Sequence, residues 1–274
     1  MNNWRIATIL GAVEGLTEFL PISSTGHLII VGHLLGFAGD GAASFQVAIQ
    51  LGAILAVSFL YWRRFARLIP QPALSSLTSR SAMDGWSGLY RIALATLPAL
   101  TVAYLGRHTI KQQLFNPPAV TLALAVGGVA ILLVERWVWR RTSNDVDRLS
   151  LMQALGIGLF QILALWPGTS RAAATIIGGM LVGLDRKSAA EFSFIIAVPV
   201  LLAASGYELI KMYDQMNGRE TLELGIGFLV SFIVALVAVK CFVRFLERGK
   251  LTPFAWYRII VAPIFHYLTR GLSF

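Results

Sequence analysis

The chain has 274 residues, of which 56% are hydrophobic and only 14% charged, with a mean hydropathy of +0.69. Soluble domains carry about 25% charged residues, so a soluble core protein and low-complexity disorder are both excluded, and the bilayer is the solvent. Lys and Arg outnumber Asp and Glu by 23 to 14, a net charge of +9; in a membrane protein that excess belongs to cytoplasmic loops, and no nucleic-acid partner is expected.

A helix needs about 20 mostly apolar residues to cross the hydrocarbon. In chain order, residues 3–36 fall short because Glu14, Glu18 and the run Pro21-Ile-Ser-Ser-Thr-Gly-His27 interrupt them. Residues 44–62, 89–105 and 119–139 then read as spanning helices. Residues 151–183 repeat the first pattern, broken by Trp166-Pro-Gly-Thr-Ser-Arg171, and 189–210, 222–245 and 254–269 are three further spans. Helix, polar break and helix is the pattern of a re-entrant hairpin, tolerated at membrane depth where protein or a watery cavity satisfies the open backbone. The first 20 residues lack a signal peptide's basic start and carry two glutamates where its apolar stretch should be, so they are expected to be mature sequence.

Sidedness follows because a hairpin returns to its own face and each span changes face. Fourteen of the 23 basic residues then fall on one face, six on the other and three within segments. The fourteen-residue face is expected to be cytoplasmic. Two hairpins entering from opposite faces, each followed by three spans, describe an inverted-topology repeat. The expected fold is therefore an all-α integral membrane protein with six spanning helices and two re-entrant helical hairpins. It forms one domain over 1–274, with repeats of about 1–140 and 148–274. A shift of 146 places Pro21 on Pro167, Ser24 on Ser170 and Gly32 on Gly178.

Glu14 and Glu18 are one helical turn apart on one face. Ionisable groups in hydrocarbon are costly and mark function, and paired carboxylates suit a hard divalent cation, Mg²⁺ or Ca²⁺. The blander account is a snorkelling pair or half of an ion pair. Ser23, Ser24, Thr25 and His27 supply hydroxyls and an imidazole; His27 could activate Ser24 as a nucleophile or protonate a leaving group, whereas a helix cap with a hydrogen-bonded histidine is the alternative. In the second break, Thr169, Ser170 and Arg171 offer a phosphate cradle in which the guanidinium grips oxygens bidentately. Balancing a glutamate is the structural alternative for Arg171. Gln50, Gln161 and Glu208 could satisfy opened backbone or line a cavity, Lys240 and Arg258 lie near enough to segment ends to snorkel, and Cys241 is expected to be a buried small hydrophobe.

The stretch Glu14-Gly-Leu-Thr-Glu18-Phe-Leu-Pro-Ile-Ser-Ser-Thr-Gly-His27, with Leu165-Trp-Pro-Gly-Thr-Ser-Arg171 downstream, closely resembles the undecaprenyl-pyrophosphate phosphatases of the bacitracin-resistance type. The resemblance extends over essentially the whole chain, including Gln50 to Gly52 and Glu191-Phe-Ser-Phe. It implies a multi-pass enzyme of the bacterial inner membrane that removes the terminal phosphate of a polyprenyl pyrophosphate; the count of basic residues puts the mouth of the first hairpin outside, so the site is expected to open to the outer face. That reaction recycles the carrier lipid for cell-wall polymers. By the same resemblance Glu14 and Glu18 form the acidic, metal-holding motif, Ser24 and His27 the Ser/His element, and Ser170 and Arg171 the phosphate-binding element. Membrane lipids are the expected surroundings and a homodimer is left open. The chain departs at Ala172, where the family usually has serine, so any role of that hydroxyl is absent or met elsewhere. The competing function is a transporter or flippase for a phosphorylated lipid, because inverted repeats with broken helices are built for transport.

Overall fold

The computed structural model describes residues 3–37, 40–70, 81–114, 116–138, 145–213 and 218–270. The described residues form eleven α-helices: α1 Asn3–Thr17, α2 Ser24–Leu34, α3 Asp40–Leu60, α4 Trp62–Arg67, α5 Gly85–Leu114, α6 Pro117–Val138, α7 Leu151–Ile162, α8 Arg171–Leu181, α9 Arg186–Tyr213, α10 Gly218–Leu246 and α11 Thr252–Thr269. Short 3₁₀ turns cover Val146–Arg148 and Leu163–Leu165. Four stretches within these helices are long and apolar enough to cross a membrane, Gly85–Ile110, Pro117–Trp137, Arg186–Lys211 and Gly218–Leu246. They coincide with four of the six expected spans. The other two expected spans form helices that miss this measure. The apolar part of α3 is Ser44–Leu60, and α11 carries the fully buried Arg258.

The two halves of the chain interleave. Helix α1 packs along α10, α3 lies between α10 and α9, α6 pairs with α11 and α5 with α7. Small residues permit the closest approach: a Cβ at Gly11 would collide with the carbonyl of Gly227, and one at Gly15 with that of Ser231. Such small-residue contacts are how helices associate where no hydrophobic force separates them from lipid. Phe19, at the first break, meets Phe194 of α9 edge to face with centroids 5.4 Å apart.

Both breaks are built alike. Helix α1 gives way through turns to α2, and α7 to α8, and α2 and α8 have 11 residues each. Ser23 and Ser170 precede them as N-caps with φ of 73° and 70°. Each second helix closes on a left-handed glycine, Gly36 (φ 67°) or Gly183 (φ 104°). Beside these, Phe37 N–H donates to Gly32 O (2.8 Å) and Leu184 N–H to Gly179 O (2.9 Å). The offset is 147 (170 minus 23), one more than the shift read from the sequence, so Ser23 corresponds to Ser170 and Ser24 to Arg171. What recurs is the backbone geometry of the cap and the closing turn, and not the Pro and Ser identities that suggested 146.

At the opposite end of the molecule, loops are tied by ions. Asp147 takes hydrogen bonds from Arg64 and, at 2.6 Å, from the Ser81 hydroxyl. Burial works against its charge, but these two donors and Arg64's positive charge hold its carboxyl below the ordinary range. Arg186 forks onto Glu135 at 2.8 and 2.5 Å, and Glu135 also accepts from Leu251 N–H (2.8 Å) at the start of α11. Cys241 is exposed rather than buried. On a helix whose outer face meets lipid, an apolar side chain gains nothing by turning inward.

Candidate active site

The two breaks meet. Between them lies a cavity of about 180 Å³ lined by Glu18, Ser23, Ser24 and Thr25 from the first and by Trp166, Pro167, Gly168, Ser170 and Arg171 from the second, with Ala164, Gln50 of α3 and Leu201 of α9 completing the wall. Six of the nine residues expected to form the site therefore share one chamber. Glu14, His27 and Thr169 stand behind its wall.

Glu18 is the hub. Its Oε2 accepts from the Ser24 hydroxyl at 2.6 Å, and its Oε1 pairs with Arg171 Nη2 at 3.2 Å. Arg171 is steadied further by Nη1, which donates to Ser193 O (3.1 Å), and by the Phe19 ring, 5.5 Å from its guanidinium carbon. Thr175, one turn along α8, donates to Arg171 O (2.8 Å) and lies 2.6 Å from the Ser193 hydroxyl, which locks α8 onto α9. Among the described residues the buried Arg171 Nε has no partner, so one donor of the guanidinium is not spent. Glu14 lies one turn before Glu18, whose N–H donates to the Glu14 carbonyl (3.0 Å). It is fully buried beside the Glu18 carboxylate, and among the described residues no donor meets either of its carboxylate oxygens.

The expected Ser24–His27 pair is not made. Ser24 turns its hydroxyl to Glu18, while His27 places Nδ1 2.7 Å from Ser23 O and Nε2 2.6 Å from the Tyr257 hydroxyl. Both ring nitrogens are thereby occupied, and a carboxylate stands where the imidazole was expected. Ser23 and Ser170 act as caps, accepting from Gly26 N–H (3.4 Å) and Ala173 N–H (3.2 Å). Their left-handed backbone costs a non-glycine residue about 1–3 kcal/mol and gathers at functional sites.

Sequence reasoning missed Arg258. It was expected to reach for the interface; instead it is 0% exposed at the centre of the protein. Its guanidinium donates to Leu124 O (3.2 Å), Ala123 O (2.9 Å), Pro21 O (3.2 Å), Gly168 O (3.0 Å) and Thr169 O (2.7 Å). All five donors are spent on carbonyls: those of Pro21, Gly168 and Thr169 lie in the two breaks, where irregular backbone at membrane depth requires such satisfaction, and those of Ala123 and Leu124 tie the guanidinium to α6. Thr169 thus serves through its carbonyl. Space for the guanidinium is made by Gly127, where a Cβ would collide with Nη2. The signal in the sequence was the arginine itself, in a helix otherwise apolar. Gln161 is likewise turned to backbone, donating to Ala95 O (3.0 Å).

The profile of the family described as bacitracin resistance protein BacA matches residues 7–264, which include both breaks and Arg258. This chain belongs to the BacA family. The undecaprenyl-diphosphatase of Maridesulfovibrio salexigens is 53% identical over 265 residues, covering 96% of this chain and 98% of that protein. Undecaprenyl-diphosphatases of Solidesulfovibrio magneticus (52% identical, 96% and 97% covered) and Nitratidesulfovibrio vulgaris strain DP4 (51%, 97% and 98%) are similar along nearly their whole length too. The BacA family thus provides relatives in which no large segment is added or lost.

Proposed function

We propose that this BacA-family chain is a membrane phosphatase that hydrolyses undecaprenyl pyrophosphate to undecaprenyl phosphate and inorganic phosphate. The observation that carries this reading is the 2.6 Å hydrogen bond from the Ser24 hydroxyl to Glu18, beside Arg171 in a polar chamber between two broken helices. The names of the relatives agree with it. Ser24 attacks the terminal phosphorus as Glu18 takes its proton; the bond from that phosphorus to the bridging oxygen breaks, and the lipid leaves as its monophosphate. Water then attacks the phosphoserine and releases phosphate. Arg171 neutralises charge gathering on the transferred group's oxygens. If water attacks directly, Glu18 receives the water's proton and Ser24 binds the phosphate; trapping a phosphoserine at position 24 separates the two routes.

Glu14 and Glu18 are the residues that would hold a divalent cation. Among the described residues no group of three His, Cys, Asp or Glu is assembled for a metal, yet the two orphaned oxygens of buried Glu14 are hard donors of the kind Mg²⁺ and Ca²⁺ prefer, and phosphate oxygens complete such shells. When bound, the cation supplies further positive charge to the phosphates.

The architecture belonging to this reading is one domain of six spans, with α3 and α11 as the fifth and sixth, and two re-entrant hairpins entering from opposite faces. The matching backbone of the two breaks supports a repeat, and the fourteen basic residues support a cytoplasmic face opposite the mouth of the first hairpin, in the bacterial inner membrane. A flippase has no use for a serine hydrogen-bonded to a carboxylate. The test is phosphate release from undecaprenyl pyrophosphate by the purified protein, with EDTA and with Mg²⁺ or Ca²⁺ restored. Release that requires the cation is expected; none with either cation overturns the proposal.

A further inference from the structure

Tyr257 precedes Arg258 on α11 and takes no part in the chemistry above. Its ring lies beside that of His27, with centroids 5.6 Å apart and planes 8° from parallel, and its hydroxyl lies 2.6 Å from His27 Nε2. The other ring nitrogen, Nδ1, lies 2.7 Å from the carbonyl oxygen of Ser23. A carbonyl only accepts, so Nδ1 carries the proton; in the neutral ring Nε2 then holds a lone pair, and the Tyr257 hydroxyl donates to it. The result is a directed chain of two hydrogen bonds, from Tyr257 through His27 to the Ser23 carbonyl.

That carbonyl is half of the peptide plane whose other half is the Ser24 nitrogen. Ser23 is held at φ 73°, a conformation that L side chains leave readily unless the surroundings enforce it. Holding its carbonyl fixes the rotation of the Ser23–Ser24 plane, and with it the direction in which Ser24 leaves the turn towards Glu18. We propose that Tyr257 is a positioning residue for phosphoryl transfer, acting through His27 to hold the strained Ser23–Ser24 peptide so that the Ser24 hydroxyl meets Glu18. The proposal rests on the phosphatase reading. It gives His27 a task other than proton abstraction and explains why its ring turns away from Ser24.

The experiment is a double-mutant cycle in the purified full-length protein with Tyr257→Phe and His27→Ala, measuring kcat and KM for phosphate release. Phenylalanine keeps the ring and removes the donor. One hydrogen bond corresponds to a loss of about three- to tenfold, expected in kcat with KM within about twofold. Because both residues act along one chain, Tyr257→Phe should add nothing further in the His27→Ala background. A second reading needs no turnover: diethyl pyrocarbonate acylates a free imidazole lone pair, so His27, followed by peptide mass, should react faster in Tyr257→Phe than in wild type. Independent, multiplying losses in the cycle, an undiminished kcat, or an unchanged His27 modification rate would each overturn the proposal. A wild-type protein that releases no phosphate would instead overturn the phosphatase reading, with the modification rate still reporting whether the Tyr257–His27 bond exists.

Discussion

Ser23 and Ser170 occupy the same left-handed backbone region, φ 73° and 70°, each as the last residue before the second helix of its hairpin. Glycine adopts this conformation freely and serine does not, so each position keeps serine at a conformational cost of about 1–3 kcal/mol. The cap hydroxyl returns part of that cost.

Two substitutions at Ser23 separate strain from capping. Ser23→Gly relieves the backbone and loses only a few tenths of a kcal/mol as a cap, so its thermal midpoint in detergent should equal or exceed that of wild type. Ser23→Ala keeps the strain and loses the cap, costing about 1 kcal/mol. A midpoint for Ser23→Gly below that of wild type would mean that the left-handed geometry is not a source of strain.

Glu18→Gln removes the proton acceptor of Ser24 while nearly preserving shape, and should cut phosphate release by about 10²–10⁴-fold with the fold intact. Activity close to wild type would move the base elsewhere.

Glu14→Gln is best followed without turnover. If Glu14 holds the cation, Mg²⁺ or Ca²⁺ should raise the thermal midpoint of the wild-type protein, about 2.7 kcal/mol of stabilisation at a hundred times Kd, and should fail to do so in Glu14→Gln. An identical midpoint rise in both proteins would place the cation away from Glu14.

Arg171→Lys preserves the charge that faces Glu18 but replaces a planar fork by a point charge. Loss of one transition-state donor costs on the order of 10²-fold in kcat. Near-normal hydrolysis by a folded Arg171→Lys protein would show that Arg171 only balances the glutamate.

Sidedness is open to single-cysteine labelling in a Cys241→Ser background. Cysteines at Gln113, the far end of α5, and at Arg248, between α10 and α11, should react with a membrane-impermeant maleimide from outside and from inside respectively. Both reacting from one side would remove the re-entrant second hairpin, residues 151–183, which lies between the two positions; exchange of the two faces would remove the first, whose return sets the face of everything after it.

The long apolar runs were legible because burial in lipid writes itself into composition, and α5, α6, α9 and α10 appear where they were expected. The polar breaks were equally plain, and Glu18, Ser24 and Arg171 do converge. Who bonds whom was not legible. Whether Ser24 turns to His27 or to Glu18 depends on what else is within reach of each, and the partner that occupies His27 Nε2, Tyr257, lies some 230 residues later in the chain. Arg258 escaped for the same reason: its partners are main-chain carbonyls, which leave no side-chain signature to pair with it. The matching caps at Ser23 and Ser170 stand 147 apart where residue identities suggested 146, because φ is invisible in a string of residue names.

The place of Arg258 on α11 also bears on assembly. Until α11 packs against the breaks, the carbonyls of Pro21, Gly168 and Thr169 lack the donors that satisfy them in the folded protein, and each such group costs several kcal/mol in hydrocarbon. Closure of the two breaks therefore waits on α11, however completely the helices before it have entered the bilayer.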